Sequence, residues 1–461
     1  MKFRFNHRIF NFSLCLLIVL LISTTTLAQE GKFEWGKITS PALEGNLIGD
    51  SATRSFAVYL PPSYETIEKR YPVIYLLHGY GGSPGGYTNI KPTIDSMIKN
   101  GDIGEIIVVF VDGANRFGGS FYRNSETIGD YEGYITTDLV NHIDSNYRTI
   151  AHRDSRGITG HSMGGYGCMH LALTYPDVFS AVVAQGGLYK NDSDYMRNLL
   201  IATAADTKDW GEFSQLFWMT QAAYALTAAL APNPNNPPFY LDKAFKMMDG
   251  KAQVVPEVWD SFIKNDIVDS ELSHYLEQPL RLNGIMFAHG SSDGIVPVSQ
   301  AQALDKAMTE LGIEHVYDEH RGGHEFTASK SLHFLSEHLS FSLPKQEITS
   351  IQPQGKGFVT WGKVKQDRLM QNYPNPFNPE TWIPYQLGKA TDVVIKIHTA
   401  SGQLVRTLNP GHKSAGTYIN RDKAAYWDGK NEVGELISSE IYFYTIEAGD
   451  FTAIRKMVIA K

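Results

Sequence analysis

Three residues of this chain could together turn a hydroxyl into a nucleophile, and they occur in the order Ser162, Asp293, His324. A serine hydroxyl attacks a carbonyl poorly until a base takes its proton, and the base works best when a carboxylate holds it in the right tautomer. Ser162 lies in Gly160-His161-Ser162-Met163-Gly164-Gly165, between a short apolar segment and an apolar run of helical spacing. Strand, glycine-crowded turn and helix form the context of a nucleophile elbow, where small neighbours let the serine project above a sheet edge. The pattern G-x-S-x-G alone says little, because Gly81-Gly82-Ser83-Pro84-Gly85 and Gly290-Ser291-Ser292-Asp293-Gly294 match it too. Pro84 has no N–H to offer an oxyanion, and Val296-Pro297 follows the third match in place of a helix.

Asp293 and His324 each follow a predicted strand, so both are expected on the sheet edge that carries Ser162. The glycines of Arg321-Gly322-Gly323-His324 would let that loop bring the imidazole over the serine. Asp293 could also cap the following segment, and Asp318 and Glu319 are rival carboxylates within an expected strand. His320 and His324 have the spacing of helical metal ligands, but Gly322-Gly323 argues against a helix and so against zinc. No metal and no cofactor is expected. An oxyanion hole needs two backbone donors. The expected donors are the N–H of Met163, next to the nucleophile, and that of Tyr80 in the loop His78-Gly79-Tyr80-Gly81-Gly82. Tyr80, Phe117, Phe121, Tyr122 and Tyr166 suit either an aromatic acyl group or packing. His78, His161 and His170 are expected to shape or pack.

These residues need a sheet to hold them. Phe56, Val58 and Leu60 alternate and stop at Pro61-Pro62, which predicts antiparallel strands within 33–65. The run 71–79, which ends in a glycine loop, and the run 106–111 are continuously apolar, as in strands buried on both faces. Helices are predicted at 90–99, 299–311 and 327–340, and further strands at 181–184, 285–288 and 314–318. Strand and helix alternate, giving an α/β sheet with right-handed crossovers. Residues 190–280, rich in Trp and Tyr and interrupted by Pro232 to Pro238, break that rhythm and read as a mostly helical cap insertion.

The expected domains are a signal peptide at 1–28, an α/β domain carrying the serine, aspartate and histidine at 29–343, a linker at 344–368 and a small all-β sandwich at 369–461. Lys2, Arg4 and Arg8 precede the apolar run 14–22, and Thr26-Leu27-Ala28 suits a cleavage site. An uncleaved anchor is the alternative. The run is short for a bilayer, and no later stretch could span one. The net charge of the whole chain is −8. Removing residues 1–28 leaves 38 basic and 49 acidic residues, or −11. That balance makes the chain a poor candidate for nucleic acid or an anionic surface. Of two cysteines only Cys168 would remain, a small core residue with no disulfide partner.

Residues 33–342 resemble the esterase D-like α/β-hydrolases, which include S-formylglutathione hydrolases, feruloyl esterases, enterochelin esterases and the antigen 85 mycolyltransferases. The matching stretches are Val58-Tyr59-Leu60-Pro61-Pro62, Tyr75-Leu76-Leu77-His78-Gly79, Gly119-Ser120-Phe121-Tyr122, Tyr131-Glu132-Gly133-Tyr134, the elbow and Gly322-Gly323-His324. The resemblance implies the same triad and the same oxyanion donors. Residues 369–461 resemble immunoglobulin-like C-terminal sorting domains of type IX secretion, through Gln371-Asn372-Tyr373-Pro374-Asn375-Pro376-Phe377-Asn378-Pro379-Glu380-Thr381 and Tyr426-Trp427-Asp428-Gly429. Glu440 stands where that family usually has glycine. This resemblance implies export, a secreted or surface-attached enzyme, and the type IX machinery as partner. The expected activity is a serine carboxylic-ester hydrolase, with an acyl or feruloyl ester on a polysaccharide, or a small ester, as substrate. An antigen 85-type acyltransferase, a serine peptidase and a non-catalytic binding module are the alternatives.

Overall fold

The computed structural model describes residues 30–342 and, further on, 367–369, 372, 377, 379–399, 401–418 and 423–459. Residues 1–28 and most of the expected linker lie outside the described residues. The chain divides into two compact units at positions 348 and 349.

The first unit is built on an eight-stranded sheet. Its strands are β1 (Lys32–Thr39), β2 (Thr53–Leu60), β3 (Val73–Leu77), β4 (Ile107–Val111), β5 (Arg156–His161), β6 (Ala181–Gln185), β7 (Gly284–Gly290) and β8 (Val316–His320). Their spatial order is β1-β2-β4-β3-β5-β6-β7-β8. β2 runs antiparallel to both neighbours, and β4-β3-β5-β6-β7-β8 are all parallel. The last strand falls later than 314–318, so His320 closes it.

The continuous apolar runs are explained by two cores. Val73, Tyr75 and Leu77 of β3, with Ile107, Val109 and Val111 of β4, face one side. Ile74, Leu76, Val108 and Phe110 face the other. Burying each such side chain contributes about 1.5–3 kcal/mol. Helix α1 (Lys91–Asn100) and the final helix, Ala328–His338, cover the second face through Ile94, Leu332 and Leu335. The first face receives α2 (Met163–Thr174), the elbow helix, which is buried from Met163 to Leu173.

The segment 186–283 crosses from β6 to β7. It is mostly helical, with α3 (Trp218–Leu230) buried from Ala223 to Leu230. It also holds a hairpin, Phe245–Met248 with Lys251–Val254, that its sequence did not announce. Phe117 anchors it by packing against Trp210 and Phe213, with ring centroids 4.8 and 5.5 Å apart.

The second unit is β-rich. Thr391–Thr399, Leu404–Lys413, Ile441–Ala448 and Phe451–Val458 form an antiparallel sheet, and shorter strands pair around the same core, which includes Trp427, Tyr385 and Tyr444. Arg368 already pairs with Gln386, and Asp367 accepts the Gly388 N–H at 2.7 Å.

Glycines at the elbow are demanded by backbone approach. A Cβ on Gly160 would stand 2.1 Å from the Gly164 carbonyl oxygen, and one on Gly164 would stand 2.2 Å from that of Leu77. Gly164→Ala is therefore expected to cost at least the ~1–3 kcal/mol of an overpacked core, read as a lower urea midpoint. An unchanged midpoint would show that the turn can yield.

Candidate active site

Ser162 adopts φ 57° and ψ −117°, a strained conformation for a residue with a side chain. Its N–H donates to the Gln185 carbonyl at 2.8 Å, and its carbonyl accepts the Tyr166 N–H at 3.0 Å. Its hydroxyl does not cap the helix that starts at Met163. Ser83, by contrast, is extended at φ −155°, and Ser292 is not among the residues of positive φ. Strain thus separates the elbow from the two other sequence matches.

Asp293 and His324 meet. His324 Nδ1–H donates to Asp293 Oδ2 at 2.6 Å. The other carboxylate oxygen accepts the N–H groups of Ile295 and Val296 at 2.8 and 2.9 Å. His289, buried beneath, donates Nε2–H to the Val296 carbonyl at 2.9 Å and lies 3.3 Å from Asp293 Oδ2. The loops carrying acid and histidine are stitched together, Ser291 N–H to His320 O and Ser292 N–H to Gly322 O, both at 2.9 Å. A Cβ on Gly290 would stand 2.2 Å from the Gly323 oxygen, so only glycine permits that crossing. The rival carboxylates are spent elsewhere: Asp318 pairs with Lys330, and Glu319 accepts from Tyr317 and Gln302.

The imidazole of His324 lies over Gly186, the residue after the partner of the Ser162 N–H. A Cβ on Gly186 would be 3.3 Å from its Nδ1 and Cε1. His161 packs beside it, ring centroids 4.6 Å apart, with Nδ1 3.1 Å from the Tyr87 hydroxyl. Burial, and then the neighbouring His324, push His161 down to about 3, so it stays neutral.

The loop of Gly79 and Tyr80 touches Ser162: a Cβ on Gly79 would stand 3.3 Å from Ser162 Cβ. His78 shapes this loop, as its sequence position suggested. Its Nδ1–H donates to the Gly79 carbonyl at 2.7 Å, and its Nε2 accepts the Gly113 N–H at 2.9 Å. Tyr80 is tied by its hydroxyl to the Phe117 carbonyl at 2.7 Å. Among the described residues, neither the Tyr80 nor the Met163 N–H has an acceptor. Of the five aromatics that could meet an acyl group, Phe117, Phe121, Tyr122 and Tyr166 are buried and pack; Tyr80 alone is partly open. Tyr122 donates to the His78 carbonyl at 2.9 Å and lies against Gly113 and Gly167.

One cluster gave no sign in the sequence. His170 of α2 was expected to pack, and it does so inside an ionic network. Arg123 donates to Glu271 at 2.5 Å and to Asn265 at 2.5 Å, and His170 sits 3.0 Å from both Glu132 and Glu271. Burial would push the Glu132 carboxyl up, but His170 and Arg123 outweigh it and hold the group well below the usual range. Burial and Arg123 push His170 down, and Glu271 and Glu132 outweigh them. Arg123 also lies 2.6 Å from His170 Nδ1, and the cluster ties residues 265–271 of the cap to the elbow helix. Cys168 lies in the same helix, and burial pushes its thiol up, as for an inert core residue.

A mixed eight-stranded sheet with crossover helices, a strained serine at a strand–helix turn and a following Asp–His pair define an α/β-hydrolase. A family model described as "Putative esterase" matches residues 51–332, and the chain belongs to that family. It is 34% identical over 136 residues to Esterase MT1326 of Mycobacterium tuberculosis (strain CDC 1551 / Oshkosh), covering 28% of each chain. It is 32% identical over 145 residues to an endo-1,4-beta-xylanase/feruloyl esterase of Xylanibacter ruminicola, covering 29% of this chain and 19% of the relative. The chain thus spans well under a third of these relatives' lengths. A solved S-formylglutathione hydrolase from Agrobacterium tumefaciens is similar at TM-score 0.45 and 19% identity, over 68% of this chain and 97% of that one.

Arg123→Met would leave the buried Glu132 and Glu271 carboxylates without their guanidinium. A loss of about 3–5 kcal/mol is expected, measured by urea unfolding; a loss under about 1 kcal/mol would mean water reaches the carboxylates.

Asp293 adds a pH dependence. Burial would raise its carboxyl, but the His324 bond and the two backbone bonds outweigh it and hold the group below its ordinary value. Its bonds stabilise the fold above the unfolded value of about 3.9 and are lost as pH falls through the lower folded value. The stability gap between native and Asp293→Asn proteins should therefore be constant near neutrality and narrow below about pH 4. A gap constant down to pH 3 would contradict it.

Proposed function

We propose that this protein is a secreted serine esterase that cleaves carboxylic esters through an acyl-enzyme. Ser162 Oγ attacks the ester carbonyl, and His324 Nε2 takes its proton. The N–H groups of Tyr80 and Met163 hold the oxyanion of the tetrahedral intermediate. Collapse breaks the C–O bond, and His324 returns the proton to the departing alcohol. Water then repeats the sequence on the acyl-enzyme and frees the acid. Asp293 keeps Nδ1 protonated, so Nε2 presents its lone pair, and it stabilises the imidazolium. The observation that carries this reading is the 2.6 Å bond from His324 to a buried Asp293, with the imidazole beside the peptide that binds Ser162.

Feruloyl or other acyl esters of polysaccharides are the substrate class, in keeping with the feruloyl esterase among its relatives. Residues 1–28 act as the export signal. Residues 369–461 act as an immunoglobulin-like sorting domain read by the type IX secretion machinery, leaving the enzyme secreted or at the cell surface.

The test is turnover of p-nitrophenyl acyl esters and methyl ferulate by the full chain. Ser162→Ala and His324→Ala should remove nearly all of it, and Asp293→Asn should lower kcat by about 10⁴-fold, with the fold retained. Ester hydrolysis that survives His324→Ala would overturn the assignment. An added alcohol acceptor that diverts the product into a new ester would assign acyl transfer instead.

A further inference from the structure

The cap contains three tryptophans, and two are covered by cations. The Arg116 guanidinium lies 4.1 Å from the Trp210 ring centre, and that of Arg197 lies 4.4 Å from Trp259. Trp210 is further closed in by Phe117, Phe213 and Phe239. Trp218 differs. No cation covers it among the described residues, and it is 42% exposed beside Phe217 at 64%. Its ring stacks on Tyr80, with centroids 6.5 Å apart and planes inclined by 29°. Tyr80 is itself fixed by its hydroxyl and belongs to the loop against Ser162. The mount is rigid, because Trp218 opens α3, whose following turns are buried. Leaving two large apolar rings in water is unfavourable, yet the cap holds them beside the loop that borders the nucleophile.

We propose that Trp218, with Phe217 at its edge, is a stacking subsite for a neutral sugar ring in the alcohol part of the ester. This rests on the esterase reading above. The acyl group must sit at Ser162, on the near side of Tyr80; the platform lies one ring further out. A polymeric alcohol continues into solvent, so an open platform suits it better than a closed pocket. A sugar presents an apolar C–H face to the indole while its hydroxyls stay wet, and the exposed neutral side chains of Ser214 and Gln215 flank the platform in sequence. Two side chains fall far short of the roughly 800 Å² per partner that a stable protein interface needs. The net charge of −8 disfavours anionic lipid.

The experiment measures binding without turnover. Full-length Ser162→Ala protein is titrated with xylohexaose and, separately, with ferulic acid, by calorimetry. Xylohexaose should bind. Adding Trp218→Ala should weaken it at least tenfold, and Trp218→Phe should retain most of the affinity. The ferulic acid affinity should change less than that for xylohexaose. If the alanine variant fails to fold, Phe217→Ala carries the test in the same direction. No binding of xylohexaose, or binding indifferent to Trp218 and Phe217, would overturn the proposal. So would a loss confined to ferulic acid, which would place the acyl group there. Because no ester is cleaved, failure here is separable from failure of the esterase reading, which the turnover of small esters decides.

Discussion

The peptide at Ser162 is the constraint on which the first unit depends. Its left-handed φ of 57° is unfavourable for a residue with a Cβ, so neighbours must hold it. They do so at several levels. The Gln185 carbonyl takes the Ser162 N–H, and the Gln185 side chain is bound to Thr327 and Ser331 of the segment that follows His324. Gly160, Gly164 and Gly165 let backbone approach backbone, and Leu77 of β3 closes the space. Strain at one residue is thereby spread over three strands and two helices. The hydroxyl that results is not spent on capping.

The acid and the histidine depend on the same principle at another edge. Their loops bond to each other through backbone groups before any side chain is considered, and Gly290 allows the contact. His289 and the N–H groups of Ile295 and Val296 then fix the carboxylate. The geometry of the candidate triad is mainly backbone geometry, with the titrating groups placed last.

What could be read from the sequence follows from this. The strands around β3 and β4 were legible because burial on both faces leaves an unbroken apolar run. Ser162, Asp293 and His324 were legible because each sits just past a strand in a glycine-marked loop, a local signal. The Arg123, Glu132, His170 and Glu271 network was not, since its members are ordinary polar residues up to 148 positions apart. Trp218 was lost among the aromatics of the cap, and only the cover over Trp210 and Trp259 sets it apart. The hairpin Phe245–Met248 with Lys251–Val254 shows little of the apolar alternation that betrays a half-buried strand.

β6 and β7 are parallel neighbours, so the chain leaving one must travel the length of the sheet to enter the other. That return is obligatory for any sequence with this topology, and a single helix would suffice. Here residues 186–283 make the journey, and they carry Trp218 at one stage and Glu271 at another. A topological necessity has become the place where selectivity can be written. The detour can be rewritten by evolution, or by design, while β5, β7 and β8 keep Ser162, Asp293 and His324 in register, provided the new path still supplies a counter-charge to Arg123.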